Sequence, residues 1–187
     1  MTYTLPITVI EAQSSLAFVE EVFRLYHEGA AFAICRPGVA PLDYPSLQVR
    51  ETLSPAAGHG WARLELSTAG HDPDGVAQVV FSSGTEGKPK AIVLTRRALA
   101  DVEDRLIEVM GITDEIREYI GVPVTYSFGL GRTRVVARAG GAFYLPERFD
   151  PVELRDMLAA GEINAISAVP SLWRILLAQP GFLGILG

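Results

Sequence analysis

Two short apolar runs flank a stretch rich in glycine and hydroxyl residues, and this arrangement constrains the fold more than any other feature of the chain. The runs are Val76 to Phe81 and Ala91 to Leu94. Because both are short and rich in branched apolar residues, we expect two strands joined by a polar loop. The loop, residues 82–90, reads Ser-Ser-Gly-Thr-Glu-Gly-Lys-Pro-Lys.

The composition of this loop is typical of a site for phosphate groups. Its hydroxyls can donate hydrogen bonds, its glycines let backbone N–H groups approach an anion, and its lysines add positive charge. It is not a Walker loop, because only two residues separate Gly84 from Gly87 and Lys88 is followed by Pro89. The alternative is a hydrophilic hairpin turn, since turns use the same residue types.

The loop resembles the signature of the adenylate-forming enzymes, which include acyl-CoA synthetases, aryl-CoA ligases, adenylation domains of nonribosomal peptide synthetases and firefly luciferase. Their signature is two hydroxyl residues, Gly, a hydroxyl residue, Thr, Gly, any residue, Pro, Lys and Gly. The matching residues are Ser82, Ser83, Gly84, Thr85, Gly87, Pro89 and Lys90. Glu86 stands where threonine is usual, and Ala91 stands where glycine is usual.

The resemblance implies that the loop binds ATP. The residues expected to contact the nucleotide are Ser82, Ser83, Gly84, Thr85, Glu86, Gly87, Lys88 and Lys90. Lys90 would also be catalytic, because its charge would stabilise the phosphates during the reaction. Mg²⁺ would accompany ATP without a dedicated protein site, with Thr85 or Glu86 as candidate contacts. Glu86 should repel ATP unless it points outward or helps to hold Mg²⁺.

A second segment, residues 122–130, reads Val-Pro-Val-Thr-Tyr-Ser-Phe-Gly-Leu. It resembles the block that lines the acyl pocket in the same superfamily, with Pro123, Phe128 and Gly129 matching and Tyr126 in the place of the usual histidine. The resemblance implies that Tyr126, Phe128 and Gly129 border the acid substrate. The alternative is that this aromatic segment belongs to the core, and both interpretations stay open at this point.

Helical and strand patterns alternate along the chain. We expect helices from Ser14 to about His27, at 132–138, from Asp150 to Gly161, and at 170–177. A further helix should follow a cap at Thr95, with one face packed on the sheet. That face carries Leu99, Val102, Leu106 and Val109. We expect further strands at 31–35, 61–66, 142–145 and 163–169, and mostly loop at 36–60. This order predicts an α/β fold, a parallel or mixed sheet with helices on its faces. By resemblance it is part of the large N-terminal domain of an adenylate-forming enzyme.

We interpret residues 1–187 as a single α/β domain. Residues 1–75 would be an abbreviated N-terminal portion, and residues 76–180 would be the core that resembles the AMP-binding enzymes. Later blocks of the superfamily, including its ribose-binding aspartate and its C-terminal domain with a catalytic lysine, do not occur in this sequence. We therefore expect the chain to act as part of an enzyme, completed by further sequence or by a partner chain. Association into a homo-oligomer stays open.

Composition excludes several other classes. A net charge of −6 argues against a nucleic-acid surface. The sequence lacks an apolar run of the length that spans a membrane, and its N-terminus does not resemble a secretory signal. Cys35 is the single cysteine, so a reducing, cytoplasmic location is expected. The three histidines share no metal-ligand spacing.

The resemblance implies an ATP-dependent enzyme that activates a small carboxylic acid as an acyl-adenylate and then commonly transfers it to a thiol, either CoA or a carrier protein. Two alternatives belong to other classes. One is a non-catalytic homologue that binds nucleotide or scaffolds a complete synthetase. The other is an interaction module built on the apolar C-terminal residues of the sequence, with the loop as a relic.

Overall fold

The computed structural model of the chain describes residues 4–37, 44, 46–67, 69–81 and 90–185. The strands are β1 (Leu5–Glu11), β2 (Phe32–Cys35), β3 (Leu47–Leu53), β4 (Gly60–Ala62), β5 (Val76–Phe81), β6 (Ala91–Thr95), β7 (Arg117–Ile120), β8 (Ala142–Leu145) and β9 (Ala165–Ser167). The helices are α1 (Leu16–His27), α2 (Arg96–Met110), α3 (Ser127–Arg138), α4 (Pro151–Ala159), α5 (Pro170–Leu177) and α6 (Phe182–Ile185).

The strands form two sheets of mixed direction. The first has the order β3-β1-β2-β5-β6, in which only the β5–β6 pair is antiparallel. The second has the order β4-β8-β7-β9, in which only the β4–β8 pair is antiparallel. The predicted α/β fold with a parallel or mixed sheet is therefore confirmed, although the strands divide between two sheets.

The largest hydrophobic core joins the two sheets. It contains side chains from both sheets together with apolar residues of α1 and α3, such as Phe18 and Val136. A smaller core, which includes Ile7 and Val79, uses strand residues of the first sheet. A third packs β7 against α4, α5 and α6 around Tyr119 and Leu154. Helices α1 and α3 thus share a core with both sheets.

Several local predictions are confirmed by specific hydrogen bonds. The Thr95 hydroxyl accepts from the Ala98 N–H at the start of α2, and the Asp150 carboxylate accepts from the Val152 and Glu153 N–H groups at the start of α4. These side chains satisfy amides that a helix leaves without internal partners. The cap of α1 is Ser15 rather than Ser14, and α1 ends at His27 as predicted.

Other boundaries were wrong. Residues 36–60 were predicted to be mostly loop, yet they contain β3, which pairs in parallel with β1. Most of β3 is exposed and polar, so it has no buried face to produce an apolar pattern. The strands predicted at 61–66 and 163–169 are short, at Gly60–Ala62 and Ala165–Ser167. The helix predicted at 132–138 begins earlier, at Ser127.

The predicted apolar face of α2 was also wrong in part. Leu99 is buried as expected, but Val102 is 51% exposed and Val109 is 83% exposed. The side of α2 that turns inward carries Arg96 and Glu103 instead. Charged groups therefore decide how this helix is rotated about its axis, and an apolar pattern cannot reveal that.

Arg134 explains why Glu103 turns inward. Its Nε lies 2.9 Å from Glu103 Oε1, and both side chains are almost fully buried. Its Nη1 donates to the Tyr26 hydroxyl at 3.0 Å and to Gln78 Oε1 at 3.4 Å. Burial raises the pKa of Glu103, while the charge of Arg134 opposes that rise. One guanidinium thus links α3 to α1, α2 and β5.

A second buried pair holds the other side of α3. Arg132 donates to both carboxylate oxygens of Glu118, at 2.9 and 2.6 Å. The Ser167 hydroxyl also donates to Glu118. Since Glu118 lies on β7 and Ser167 on β9, this cluster fixes α3 to the second sheet. Two-point contacts of this kind set orientation as well as distance.

Replacing Glu103 by Gln should destabilise the fold. The amide keeps the shape of the side chain but leaves Arg134 buried without a counter-charge, which costs about 3 kcal/mol of unfolding free energy. The matched control is Asp104→Asn, on the same helix as Glu103. Asp104 is an exposed partner of Arg138, and removal of its charge should cost less than about 1 kcal/mol. Urea denaturation measures both, and equal losses would contradict the role assigned to Glu103.

Tyr26 should make stability fall at alkaline pH. Burial raises its pKa from 10.0 to about 12. Because the raised value belongs to the folded state, its stabilising contribution is complete below pH 10 and is lost as the pH rises through 12. The loss is on the order of 2 kcal/mol. Chemical denaturation between pH 9 and about 12 should therefore show a steeper decline for the wild type than for Tyr26→Phe, and parallel curves would exclude this contribution.

Candidate functional site

The ends of the glycine-rich loop are held by an antiparallel pair of strands. Phe81, the last residue of β5, is the register partner of Ala91, the first residue of β6. The prediction that two strands flank the loop is confirmed. Residues 82–89 lie outside the described part of the chain, and so the predicted contacts of Ser82, Ser83, Gly84, Thr85, Glu86, Gly87 and Lys88 remain predictions. Lys90 is described, and it is exposed at the entrance to β6.

The segment at 122–130 borders an apolar cleft of about 540 Å³. Its other walls come from the strand ends of the second sheet, the loop after β8 and the start of α5. The lining residues are Ser14, Ile120, Gly121, Val122, Pro123, Tyr126, Phe128, Gly129, Leu145, Pro146, Glu147, Arg148, Phe149, Val169 and Leu172. Glu147 and Arg148 are exposed, so the cleft combines apolar walls with charges that remain in contact with solvent.

The structure brings the three predicted acid-pocket residues together at the start of α3. Tyr126 is 69% exposed and Phe128 is 48% exposed, and both line the cleft. Gly129 is buried between them and the preceding turn, where a Cβ atom would lie 2.3 Å from the Pro123 carbonyl oxygen. Tyr126 and Phe128 therefore belong to the wall of a cleft rather than to the core. Gly129 lines the same cleft but is buried, so it belongs to both.

A second cleft, of about 330 Å³, lies at the carboxyl ends of β2 and β5. Its walls include Phe81, Arg36, Thr125 and Ser127, and Tyr126 borders this cleft as well as the apolar one. Phe81 is also the last described residue before the loop, and its ring stacks on Tyr44 at a centroid distance of 5.3 Å. In parallel sheets, ligands bind at this end of the strands.

The start of α3 faces this second cleft without a side-chain cap. Tyr126 occupies the capping position and makes no capping hydrogen bond, whereas α1, α2 and α4 each have one. The first amides of a helix carry partial positive charge and favour anions. The position next to Ser127 therefore suits a negatively charged group.

The far wall of the apolar cleft depends on residues that carried no signal in the sequence. Phe149 lines the cleft and packs edge-on against Tyr119 at 6.4 Å. Tyr119 and Tyr144 both donate to the Glu153 carboxylate, at 3.1 and 2.7 Å. The hydrogen bond to Glu153 raises the pKa of Tyr144 to about 12, and burial raises that of Tyr119. The pairing of β7 with β8 places Tyr119 beside Tyr144, so that both reach Glu153. The sequence pattern does not reveal this pairing.

Neither a metal cluster nor a membrane-spanning helix is found in the described ranges. Residues 4–37, 44, 46–67, 69–81 and 90–185 contain no group of three or more His, Cys, Asp or Glu side chains that could hold a metal. No helix among them is both long and apolar enough to cross a membrane. His27 and His71 instead lie against backbone carbonyls, those of Glu65 and His27 respectively.

Residues 8–184 match the family model described as AMP-binding enzyme. The chain belongs to this family. The 2-succinylbenzoate–CoA ligase of Listeria monocytogenes serotype 4b is 30% identical over 141 residues, which are 73% of this chain and 27% of the ligase. The family match confirms the resemblance that the loop and the 122–130 segment indicated.

Solved structures show the same fold. A malonyl-CoA ligase in a ternary product complex with methylmalonyl-CoA and AMP aligns with 96% of this chain and 44% of its own, at a TM-score of 0.75 and 24% identity. The O-succinylbenzoate coenzyme A synthetase of Bacillus subtilis in complex with AMP aligns at 0.71 and 20% identity, over 96% of this chain and 54% of its own. This AMP-binding family chain thus spans about half or less of the proteins it matches.

Adding one methyl group at Gly129 should damage the site, whereas the same change at Gly131 should not. Gly129→Ala places a Cβ against the Pro123 carbonyl, and overpacking of this kind costs about 1–3 kcal/mol. At Gly131 the nearest atom is 3.9 Å away, and alanine favours a helix interior by about 0.5–1 kcal/mol. Thermal denaturation measures the unfolding temperature of the two variants. Equal changes in that temperature would show that the turn at Pro123 can move to accommodate the added methyl group.

Proposed function

We propose that this chain forms part of an ATP-dependent enzyme that activates a carboxylic acid as an acyl-adenylate. A thiol of CoA or of a carrier protein would then accept the acyl group, and AMP would be released. Family membership supports the class of reaction. Because the proteins that it matches are longer, the remaining catalytic residues would come from sequence beyond this chain or from a partner chain.

The position of Tyr126 is the observation that carries this proposal. This one side chain borders both the apolar cleft and the cleft beside Phe81, where the glycine-rich loop begins. An acid in the first cleft and a phosphate at the second would therefore meet at Tyr126. Phe128 and Gly129 would contact the acid, and the uncapped start of α3 would face the negative charge.

The proposed reaction requires charge stabilisation more than proton transfer. A carboxylate oxygen bonds to the α-phosphorus of ATP, and the bond from that phosphorus to the bridging oxygen of pyrophosphate breaks. Negative charge increases on the leaving pyrophosphate. The hydroxyl and glycine positions of the loop, together with Lys90, would stabilise it by hydrogen bonds and charge. Mg²⁺ would bind through the phosphates, with Thr85 or Glu86 as candidate contacts.

The lining of the first cleft favours an acid with an apolar body. Ten apolar side chains, including Ile120, Phe149 and Leu172, lie on its walls. A volume of about 540 Å³ falls within the range of small-molecule sites. We propose a cytoplasmic location, because ATP and CoA are intracellular substrates and the single cysteine requires no oxidising compartment.

Lys90→Ala should weaken ATP binding. Removal of a charge next to phosphate costs about 1.5–3 kcal/mol, which corresponds to a tenfold or larger rise in Kd. The measurement is the rise in unfolding temperature with Mg²⁺-ATP, supported by calorimetric titration. Arg155→Ala is the control, because Arg155 pairs with Asp156 on the surface of α4, away from both clefts.

ATP–pyrophosphate exchange with a panel of carboxylic acids tests the activity. It should be measured on this chain and on the chain extended by any coding sequence that follows the Gly187 codon. ATP binding that depends on Lys90 without exchange in either form would favour the non-catalytic nucleotide-binding alternative. If ATP stabilises neither the wild type nor the extended form, the proposed nucleotide site is wrong.

A further inference from the structure

Arg96 is a buried arginine beside the start of β5, whereas the glycine-rich loop follows the other end of that strand. It is the first residue of α2 and is only 7% exposed. Its Nη2 donates to the Gly29 carbonyl oxygen, and its Nε has no hydrogen-bond partner. Across the described residues, no ion pair involves Arg96.

The other two buried arginines behave differently. Arg132 is paired with Glu118 and Arg134 with Glu103, each through a contact shorter than 3 Å. A guanidinium taken out of water is costly unless a counter-charge accompanies it. The single described acceptor of Arg96 is a neutral carbonyl just beyond the end of α1. Arg96 is therefore a buried positive charge whose counter-ion is not among the described side chains.

Arg96 lines a cleft of about 280 Å³ between the beginnings of β1, β2 and β5. Arg50, on the exposed strand β3, lines the same cleft. Gly75 makes room for the buried guanidinium, because a Cβ there would lie 2.4 Å from Arg96 Nη1. Two arginines therefore line a space that is smaller than most sites for drug-sized ligands.

Acidic groups near the cleft offset this charge only in part. Glu51 accepts a hydrogen bond from the Thr8 hydroxyl on the neighbouring strand and is exposed. Asp74 is paired with Arg97, the exposed neighbour of Arg96. The cleft thus retains positive charge from Arg50 and Arg96, with Glu51 at its rim.

We propose that this cleft binds a small oxyanion of the phosphate class. Guanidinium groups bind phosphate oxygens through paired hydrogen bonds, and Arg96 lines the cleft without a counter-charge among the described side chains. The site is distinct from the glycine-rich loop. Arg96 N–H donates to the Gly75 carbonyl at one end of β5, and the loop follows Phe81 at the other end. Six residues of strand separate them by roughly 17 Å.

Inorganic phosphate is the probe for this site. The Arg96 Nε–H resonance in ¹⁵N-correlated NMR spectra, assigned by its absence in Arg96→Met, should shift during a phosphate titration at constant ionic strength. The unfolding temperature should rise with phosphate and not with equivalent chloride. In Arg96→Met the phosphate affinity should fall about tenfold or more. Arg50→Ala should weaken it to a lesser extent, because Arg50 is exposed.

Two controls separate this site from the alternatives. Arg97→Met removes the adjacent exposed charge and should leave the phosphate response unchanged. Lys90→Ala should also leave it unchanged, whereas loss of the response in that variant alone would place the ion on the glycine-rich loop and overturn the proposal. An equal response to chloride, or a full response in Arg96→Met, would overturn it as well.

Arg96→Met is expected to lower basal stability, because Arg96 also ties the end of α1 to the start of α2. The phosphate-dependent increment, rather than the basal value, is therefore the readout. If Arg96→Met does not fold, the Arg50→Ala titration decides the matter, since a phosphate response equal to that of the wild type in Arg50→Ala contradicts the proposal.

Discussion

The buried guanidinium of Arg134 is the interaction on which the arrangement of this molecule depends. It pairs with Glu103 on α2, donates to Tyr26 on α1 and reaches Gln78 on β5. Three elements that precede α3 in the chain are thereby fixed to it. A buried charge tolerates little misplacement, because a partner that moves away leaves it unpaired in a medium of low polarity. The position of α3 relative to α2 is consequently constrained by this pair, and the hydrogen bond to Gln78 adds a contact between α3 and β5.

The position of α3 relative to β5 matters because these two elements carry different halves of the candidate site. The start of α3 presents Tyr126 and Phe128, and the end of β5 leads into the glycine-rich loop. Arg132 and Glu118 fix the same helix to the second sheet, where the apolar cleft has its far wall. The two clefts are thus joined through one helix whose position is set by charge on both sides, while Gly129 and Pro123 shape the wall through backbone contact.

The sequence predicts features that depend on neighbouring residues and misses those that depend on distant ones. The caps at Thr95 and Asp150, the strands beside the loop and the aromatic segment at 122–130 were all visible as local patterns. The strand β3 was not, because hydrogen bonds to β1 stabilise it without an apolar face. The inward turn of Glu103 was equally hidden, since its partner lies on another helix. The composition of the loop indicated phosphate groups, and the family resemblance narrowed that prediction to the phosphates of ATP.

The pairing of Phe81 with Ala91 has a consequence for how this protein can change over evolution. Paired residues of antiparallel strands lie about 5 Å apart, so the two ends of the loop are held at a fixed separation. A residue inserted or deleted between them alters only the loop, because the sheet register on either side is set by other hydrogen bonds. Changes in the length or chemistry of the loop therefore need not shift β5 or β6, and these two strands determine where the loop begins and ends.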